Sequence, residues 1–389
     1  MKSSNRASQQ LIPIRGYTNA ECFHREMNAL FGRCWNFVGM TDDIPKVGDF
    51  LCAQAGAFPL LVVRDHEGDV RAFHNVCRHR GMRLADQPGS APRGFTCPYH
   101  RWFYKLDGRL TAVPRQSALF PDMDKAELGL IPASTGVFRG MIFVNPESEP
   151  EETFSSFSEG LEDNVGPHRP EEMVEIGRRQ FEFRANWKIV VENYMDTYHL
   201  FHLHHDTLEF IDHNRFRWYS CGRHFMSYEP LNEKFSNWLY RAYGLTQNEC
   251  VPGVDPRQYG MHIHMFFPGI GWTGMAHSWS SFHVKPISVD RTVVETRMRV
   301  MPAAVGKGRF DRMTMPGSGD SSEKVVTTDD LDTHPIESDR SMLEDMWACE
   351  QVQLGFQSPA AMVSFFARDY EDMIVAFQRN LLEFVQYDG

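Results

Sequence analysis

The sequence predicts an α+β chain: a small all-β domain at residues 37–150, then a domain at residues 151–389 in which helices cover an antiparallel sheet. Three observations carry that expectation. The 389 residues exceed the roughly 250–300 at which single cores stop growing. Short strand-and-turn patterns crowd the stretch from Phe37 to Pro146. Beyond it, strand patterns alternate with long helical ones.

The elements follow in order. Residues 1–36 form an N-terminal helical segment expected to pack on the second domain. Its helix runs from about Thr18 to Trp35, opened by a Thr18/Glu21 capping box and striped by Phe23, Met27, Leu30, Phe31 and Cys34. PLLVVRDHEGDVRAFHNV reads as a hairpin turning at Glu67-Gly68, and WFYKLDGRL as another turning at Asp107-Gly108. The acidic stretch between Pro146 and Arg178 reads as the domain junction. Gln180–Arg184, Met261–Phe267, Ser278–Val284 and Arg291–Met301 read as strands. A polar loop, suited to a lid, spans about Ala304 to Thr333. Ser338 is placed to cap a helix through SDRSMLEDMWACEQVQLGF, and a last amphipathic helix runs from about Asp369 to Tyr387.

Composition narrows the function. A net charge of −11 argues against nucleic acid or an anionic membrane as the main partner. No run of about 18 apolar residues exists, and the N-terminus has no apolar core of signal-peptide length, so a cytoplasmic location is expected. The eight cysteines lack disulfide-framework spacing, which favours metal ligation over bridging.

Two constellations carry chemistry. CRHRG supplies Cys77 and His79, and CPYH supplies Cys97 and His100, each pair on a tight loop between strands. A Cys₂His₂ set suits zinc, but a classical finger does not mix one Cys with one His in each loop. That mixed order is what a Rieske [2Fe–2S] centre needs. The second constellation, NWKIVVENYMDTYHLFHLHH, holds His199, His202, His204 and His205 behind Glu192 and Asp196. The spacing of Glu192, Asp196 and His199 puts them on one helix face. Taken alone, the stretch fits either a metal site or a solvated His-rich helix end.

The residues C-x-H-R-G and C-P-Y-H-x-W-x-Y-x-L-D-G-x-L resemble the Rieske domain of ring-hydroxylating oxygenases. NWK-x₃-EN-x₂-D-x-YH-x₄-H resembles the catalytic-domain motif of their large (alpha) subunits. The resemblance implies a [2Fe–2S] cluster held by Cys77, Cys97, His79 and His100. It also implies a mononuclear Fe(II) held by His199, His204 and Asp345, the last matched through EDMWACEQVQLG with Glu344 and Glu350 as competing acids. His202 and His205 are read as second-sphere or surface residues. Asp196 is the expected bridge between His199 and His100 of a neighbouring subunit, which makes a head-to-tail homotrimer. Glu192 and Asn193 are expected to support the iron ligands.

The implied activity is that of a terminal oxygenase. Electrons from NAD(P)H arrive through a separate reductase, alone or with a ferredoxin, because the chain shows no dinucleotide-binding fingerprint. The substrate is a small molecule that is hydroxylated or oxidatively demethylated with O₂. A quaternary ammonium compound is the first expectation, with Trp187, Tyr194, Trp218, Tyr219, Phe266, Phe267 and Trp272 as candidates for a cation cage. An aromatic acid is the alternative. A Rieske electron-transfer protein without catalysis and a zinc-stabilised binding module are the alternatives of other classes.

Overall fold

The computed structural model describes residues 8–235, 246–307, 325–330, 334–337 and 340–387. Two compact units divide the chain: residues 26–158, and residues 1–25 together with 159–389.

The unit at 26–158 contains a seven-stranded and a three-stranded antiparallel sheet. Strand Phe58–Arg64 explains the unbroken apolar run in PLLVV. Leu61 and Val63 enter one core cluster with Phe73, Trp102 and Tyr104, while Leu60 and Val62 enter another with Ala72, Ile142 and Val144. Both faces are buried, so no alternation survives, and each such side chain contributes about 2 kcal/mol of burial. Val70–His74 closes the expected hairpin, its turn held by the Asp65 side chain accepting from the backbone N–H groups of Glu67 and Asp69, each at 2.9 Å. Phe103–Tyr104 and Leu110–Ala112 form the second hairpin, around Asp107-Gly108.

In the other unit an eight-stranded sheet dominates. Its strands are β1 (Val174–Phe183), β2 (Arg217–Cys221), β3 (His224–Glu229), β4 (Met261–Phe266), β5 (Ile270–Met275), β6 (Ser278–Ser288), β7 (Arg291–Val300) and β8 (Val325–Val326). They lie in the order β2-β3-β4-β5-β6-β7-β1-β8, antiparallel except where β8 joins β1. Helices α1 (Trp187–Met195), α2 (Ser341–Phe356) and α3 (Asp372–Leu382) accompany the sheet. Trp187 and Phe225 both pack on Phe377, which brings α1, β3 and α3 together.

Several expectations shift. The N-terminal helix begins at Arg15, breaks, and resumes at Ala20. Asn19, rather than Thr18, caps the second piece, accepting from the N–H groups of Glu21 at 2.9 Å and Cys22 at 3.1 Å. Strands β2, β3, β5 and β8 are absent from the sequence expectation, and β8 falls within the 304–333 segment expected to be a loop. Ser338, the expected cap, and most of the polar 304–333 segment, the expected lid, lie outside the described residues. Arg340 occupies the N-cap position of α2. Among the described residues, no helix is long and apolar enough to cross a membrane.

The sheet buries several histidines. Burial pushes the imidazoles of His262 and His277 down to about 4, and those of His264 and His283 down to about 3. Each takes up a proton near pH 6.5 in the unfolded chain but stays neutral in the fold until the pH is far lower. The stability that these four histidines contribute is therefore complete above about pH 7 and falls as the pH drops, by about 1.4 kcal/mol per pH unit for each histidine. Urea titrations across pH are expected to show a steep decline in the midpoint as the pH falls from about 6 to 4. A midpoint independent of pH over that window would contradict neutral burial.

Candidate metal centres

The first site lies on two loops built alike. Gly81 N–H returns to Cys77 O at 3.0 Å, and Arg101 N–H returns to Cys97 O at 3.0 Å, so each cysteine opens a tight turn. The fourth residue after each cysteine is left-handed: φ is 73° at Gly81 and 63° at Arg101. A Cβ at Gly81 would meet nothing, so its φ is the reason for glycine. Arg101 adopts the same conformation with a side chain, a strain tolerated at functional loops.

The donors pair across the two loops, histidine with histidine and cysteine with cysteine. His79 Nδ1 and His100 Nδ1 are 3.1 Å apart, with ring centroids 4.5 Å apart. His79 is stacked on Trp102 at 4.7 Å, which fixes its plane. Both thiols are buried in the core cluster around Tyr104 and Leu106. Tyr104 accepts from the Arg78 N–H at 3.0 Å, and its hydroxyl lies within hydrogen-bond reach of Cys77 Sγ at 3.3 Å. Burial pushes the Cys77 thiol up, with the neighbouring Cys97 adding to the shift. Two neighbouring thiols and two neighbouring imidazoles on these paired loops are the donor types that a Rieske cluster requires.

The second site starts from the end of α1. Asn186 caps its beginning, accepting from Lys188 N–H at 3.1 Å, and the helix stops at Met195. Asp196 is extended (φ −76°, ψ 123°), and its Oδ1 accepts from the N–H groups of Tyr198 at 2.6 Å and His199 at 3.3 Å. Asp196 and His199 thus meet, Oδ2 to Nδ1 at 3.1 Å, through a chain reversal and not across a helix face as expected. His199 then opens a 3₁₀ turn, and Leu203 N–H bonds back to His199 O at 2.8 Å. Ending the helix before both histidines is what lets residues five apart face one point.

Helix α2 supplies the acids. Asp345 Oδ1 lies 2.9 Å from His204 Nε2 and 3.4 Å from His199 Nε2, and one ligand atom from each of the three residues fits within 4.8 Å of the others. Asn193 Nδ2 donates to the same Asp345 oxygen at 2.9 Å. Each histidine has a second carboxylate beside its other nitrogen: His204 Nδ1 is hydrogen-bonded to Glu344, and His199 Nδ1 lies 3.1 Å from Asp196 Oδ2 without the alignment of a hydrogen bond. Carboxylate–imidazole–metal is the usual way a protein fixes the tautomer and raises the basicity of a ligand. Burial alone would lower His199, but the carboxylates of Asp196 and Asp345 outweigh it and raise it to about 10. Asp345, which burial alone would raise, is held far below the carboxylate range by His199 and His204. The carboxylates of Asp196 and Asp345 thus favour positive charge at this point, which suits a divalent cation. Side-chain exposures of 17% at His199 and 23% at Asp345, against 1% at His204, leave one side of the triad open.

The remaining candidates separate. Glu344 contacts His204 and accepts from Thr207 Oγ1 at 3.0 Å, so it stands behind the imidazole, not among the three inward donors. Glu350 accepts from Arg184 at 3.1 Å and Thr328 at 2.9 Å. Glu192 accepts from Tyr17 at 2.7 Å and Gln378 at 2.9 Å, tying the N-terminal segment and α3 to α1. His202 is exposed, and His205 pairs with Asp206 at the surface. Trp187, Phe266, Phe267 and Trp272 are fully buried core. Tyr194 is different. It follows Asn193, its hydroxyl is 3.0 Å from Thr273 Oγ1, and its ring stacks on Phe282 at 4.7 Å. A Cβ at Gly271 would come within 2.6 Å of that ring, so the strand makes room for it. Sequence reasoning missed the supporting role of Glu344; its place directly before Asp345 was the available signal.

Residues 34–126 match the family model for the Rieske [2Fe-2S] domain, and residues 170–387 match that for the ring hydroxylating alpha subunit (catalytic domain). The glycine betaine monooxygenase oxygenase subunit of Chromohalobacter salexigens is 28% identical, over 96% of this chain and 85% of that protein. The biphenyl 2,3-dioxygenase subunit alpha of Rhodococcus jostii is 34% identical, over 48% of this chain and 41% of its own. Among solved structures, the quaternary ammonium Rieske monooxygenase CntA with L-carnitine superposes with a TM-score of 0.73 at 21% identity, covering 99% of this chain and 97% of that one. Naphthalene 1,2-dioxygenase with indole gives 0.72 at 20% identity, covering 96% and 92%. The two solved structures share the fold.

Proposed function

Because the chain belongs to the ring hydroxylating alpha-subunit family, whose members are oxidoreductases fed by a reductase and using O₂, we propose that its substrate is a small quaternary ammonium compound. The observation that carries this reading is the alignment to a glycine betaine monooxygenase oxygenase subunit over 96% of the chain. An aromatic substrate is the second reading, favoured by 34% identity to a biphenyl dioxygenase subunit over 48% of the chain. The electron-transfer and zinc-module readings fall with the catalytic-domain match.

The proposed assignment gives Cys77, Cys97, His79 and His100 to the [2Fe–2S] cluster, and His199, His204 and Asp345 to the mononuclear iron. When bound, these groups supply one-electron transfer and O₂ activation; two imidazoles and one carboxylate leave open positions on Fe(II). The chain's own residues do the rest. Asn193 and Glu344 hold Asp345 and His204 in place, and Asp196 orients His199. Asp196 also serves, in this proposal, as the contact to His100 of the next subunit in a head-to-tail trimer. The exposure of Tyr99 beside His100 supports access from another chain.

The test is oxygen uptake by the full chain with its metals and a reductase, against glycine betaine, carnitine, choline, anthranilate and biphenyl. Turnover of at least one quaternary ammonium compound is expected, with one formaldehyde released per O₂ where a methyl group is removed. Turnover confined to the aromatic compounds would overturn the reading.

A further inference from the structure

Resting on the proposed cationic substrate, we infer that Glu229 is the residue that binds the substrate's quaternary nitrogen. Glu229 ends β3, and alternation puts its side chain on the same face of the sheet as Phe225 and Ser227. Ser227 pairs with Ile263, and Ile263 pairs with Thr273. Thr273 is the residue whose hydroxyl meets Tyr194, so this face lies under the end of α1 that also carries Asn193. Asn193 in turn holds Asp345. The proximity shows electrostatically: burial is the main reason the Tyr194 hydroxyl resists ionisation, and the Glu229 charge adds to it.

A second path reaches the same carboxylate from the far end of the metal-binding stretch. Glu229 Oε2 is 3.5 Å from His213 Nδ1, and the His213 ring packs against Phe201 at 5.5 Å. Phe201 is two residues beyond His199. Glu229 therefore lies near the end of α1 and, through His213, near the segment that follows His199, yet it is not itself within the triad.

Its bonding is what points to a ligand. Glu229 is 2% exposed, and among the described residues its carboxylate accepts no hydrogen bond. The neighbouring His213 Nδ1 also has no hydrogen-bond partner, so the ion pair between them is long and unsupported. Buried carboxylates ordinarily accept from two or more donors. A quaternary nitrogen offers charge without any N–H group. It calls for a negative field and aromatic faces, not for oriented acceptors. Glu229, with Tyr194 and Phe201 near it, supplies that combination. A carboxylate of an aromatic acid would meet repulsion there instead, so the residue would also set the direction of specificity.

Two measurements on the full chain test this. The first compares glycine betaine with 3,3-dimethylbutanoate, in which carbon replaces the charged nitrogen. Glu229→Gln is expected to raise KM for glycine betaine about 100-fold while kcat stays within a few-fold, and not to raise KM for the analogue, an anion with no cationic nitrogen. Equal losses for both compounds, or no change for either, would overturn the inference. The second is calorimetric binding of tetramethylammonium, which needs no turnover. Wild type is expected to bind it and Glu229→Gln to bind at least 10-fold more weakly, with Glu229→Asp between them as a variant that keeps the charge. Absence of wild-type binding overturns the role of Glu229. Glu229-dependent binding by a protein that oxidises only aromatic compounds would instead overturn the proposed substrate and leave the cation site standing.

Discussion

Asp345→Ala is expected to abolish substrate oxidation, by more than about 1,000-fold, while the visible spectrum of the [2Fe–2S] cluster is unchanged. The reason is charge. Asp345 is the only carboxylate among the three inward donors, and it is the point at which His199, His204 and Asn193 converge. Without it two neutral imidazoles would have to hold a divalent cation in a desolvated site, with no first-sphere anion to offset the charge. Iron content is expected to fall from about three to about two atoms per chain, the two of the cluster remaining. Glu344→Ala separates a ligand from its support: it leaves the three inward donors in place and is expected to weaken iron binding by about 10–100-fold, recoverable with added Fe(II). Activity that survives in Asp345→Ala but vanishes irrecoverably in Glu344→Ala would exchange the two assignments.

The unequal legibility of these two neighbours has a physical basis. Metal ligands are constrained in residue type, so Cys77, His79, Cys97 and His100 announce themselves through identity and spacing. A second-sphere acid is constrained only in where it points. Glu344 and Asp345 are consecutive on α2, and what distinguishes them is which nitrogen of His204 each one faces, a matter of helix placement. The end of α1 at Met195 was equally silent, since no Gly or Pro marks it; the Asp196 side chain bonding to Tyr198 and His199 N–H groups does that work. Strand β2, RWYSC, hides because its burial follows no strict alternation. The aromatic candidates for a cation cage were indistinguishable by composition, and packing divides them: Trp187 and Trp272 are core, while Tyr194 adjoins the triad through Asn193. Glu229 was invisible for the opposite reason. A single acid at a strand end carries no pattern, and only its burial and missing donors set it apart.

Asp196→Ala is expected to lower turnover by at least about 100-fold with both metal sites still filled. Two roles meet in this side chain, and they make different predictions. As the residue closing α1, Asp196 accepts from two backbone N–H groups, and losing that costs about 1 kcal/mol of stability. As the partner of His199 Nδ1, it fixes the imidazole whose other nitrogen faces the triad. In the proposed trimer it also reaches His100 of the next subunit, which makes it the hydrogen-bonded link between two metal sites. The discriminating measurement is stopped-flow recovery of the cluster's absorbance after reduced protein is mixed with O₂ and substrate. If Asp196 is the link, reduction by the reductase proceeds at the normal rate, while reoxidation slows in step with turnover and iron content holds near three per chain. If the side chain only closes the helix, the melting temperature drops by a few degrees and reoxidation keeps its rate. Asp196→Asn sharpens the contrast, because an amide can still close the turn but no longer carries the charge that orients two imidazoles. Its turnover should match that of Asp196→Ala, while its melting temperature should match that of the wild type.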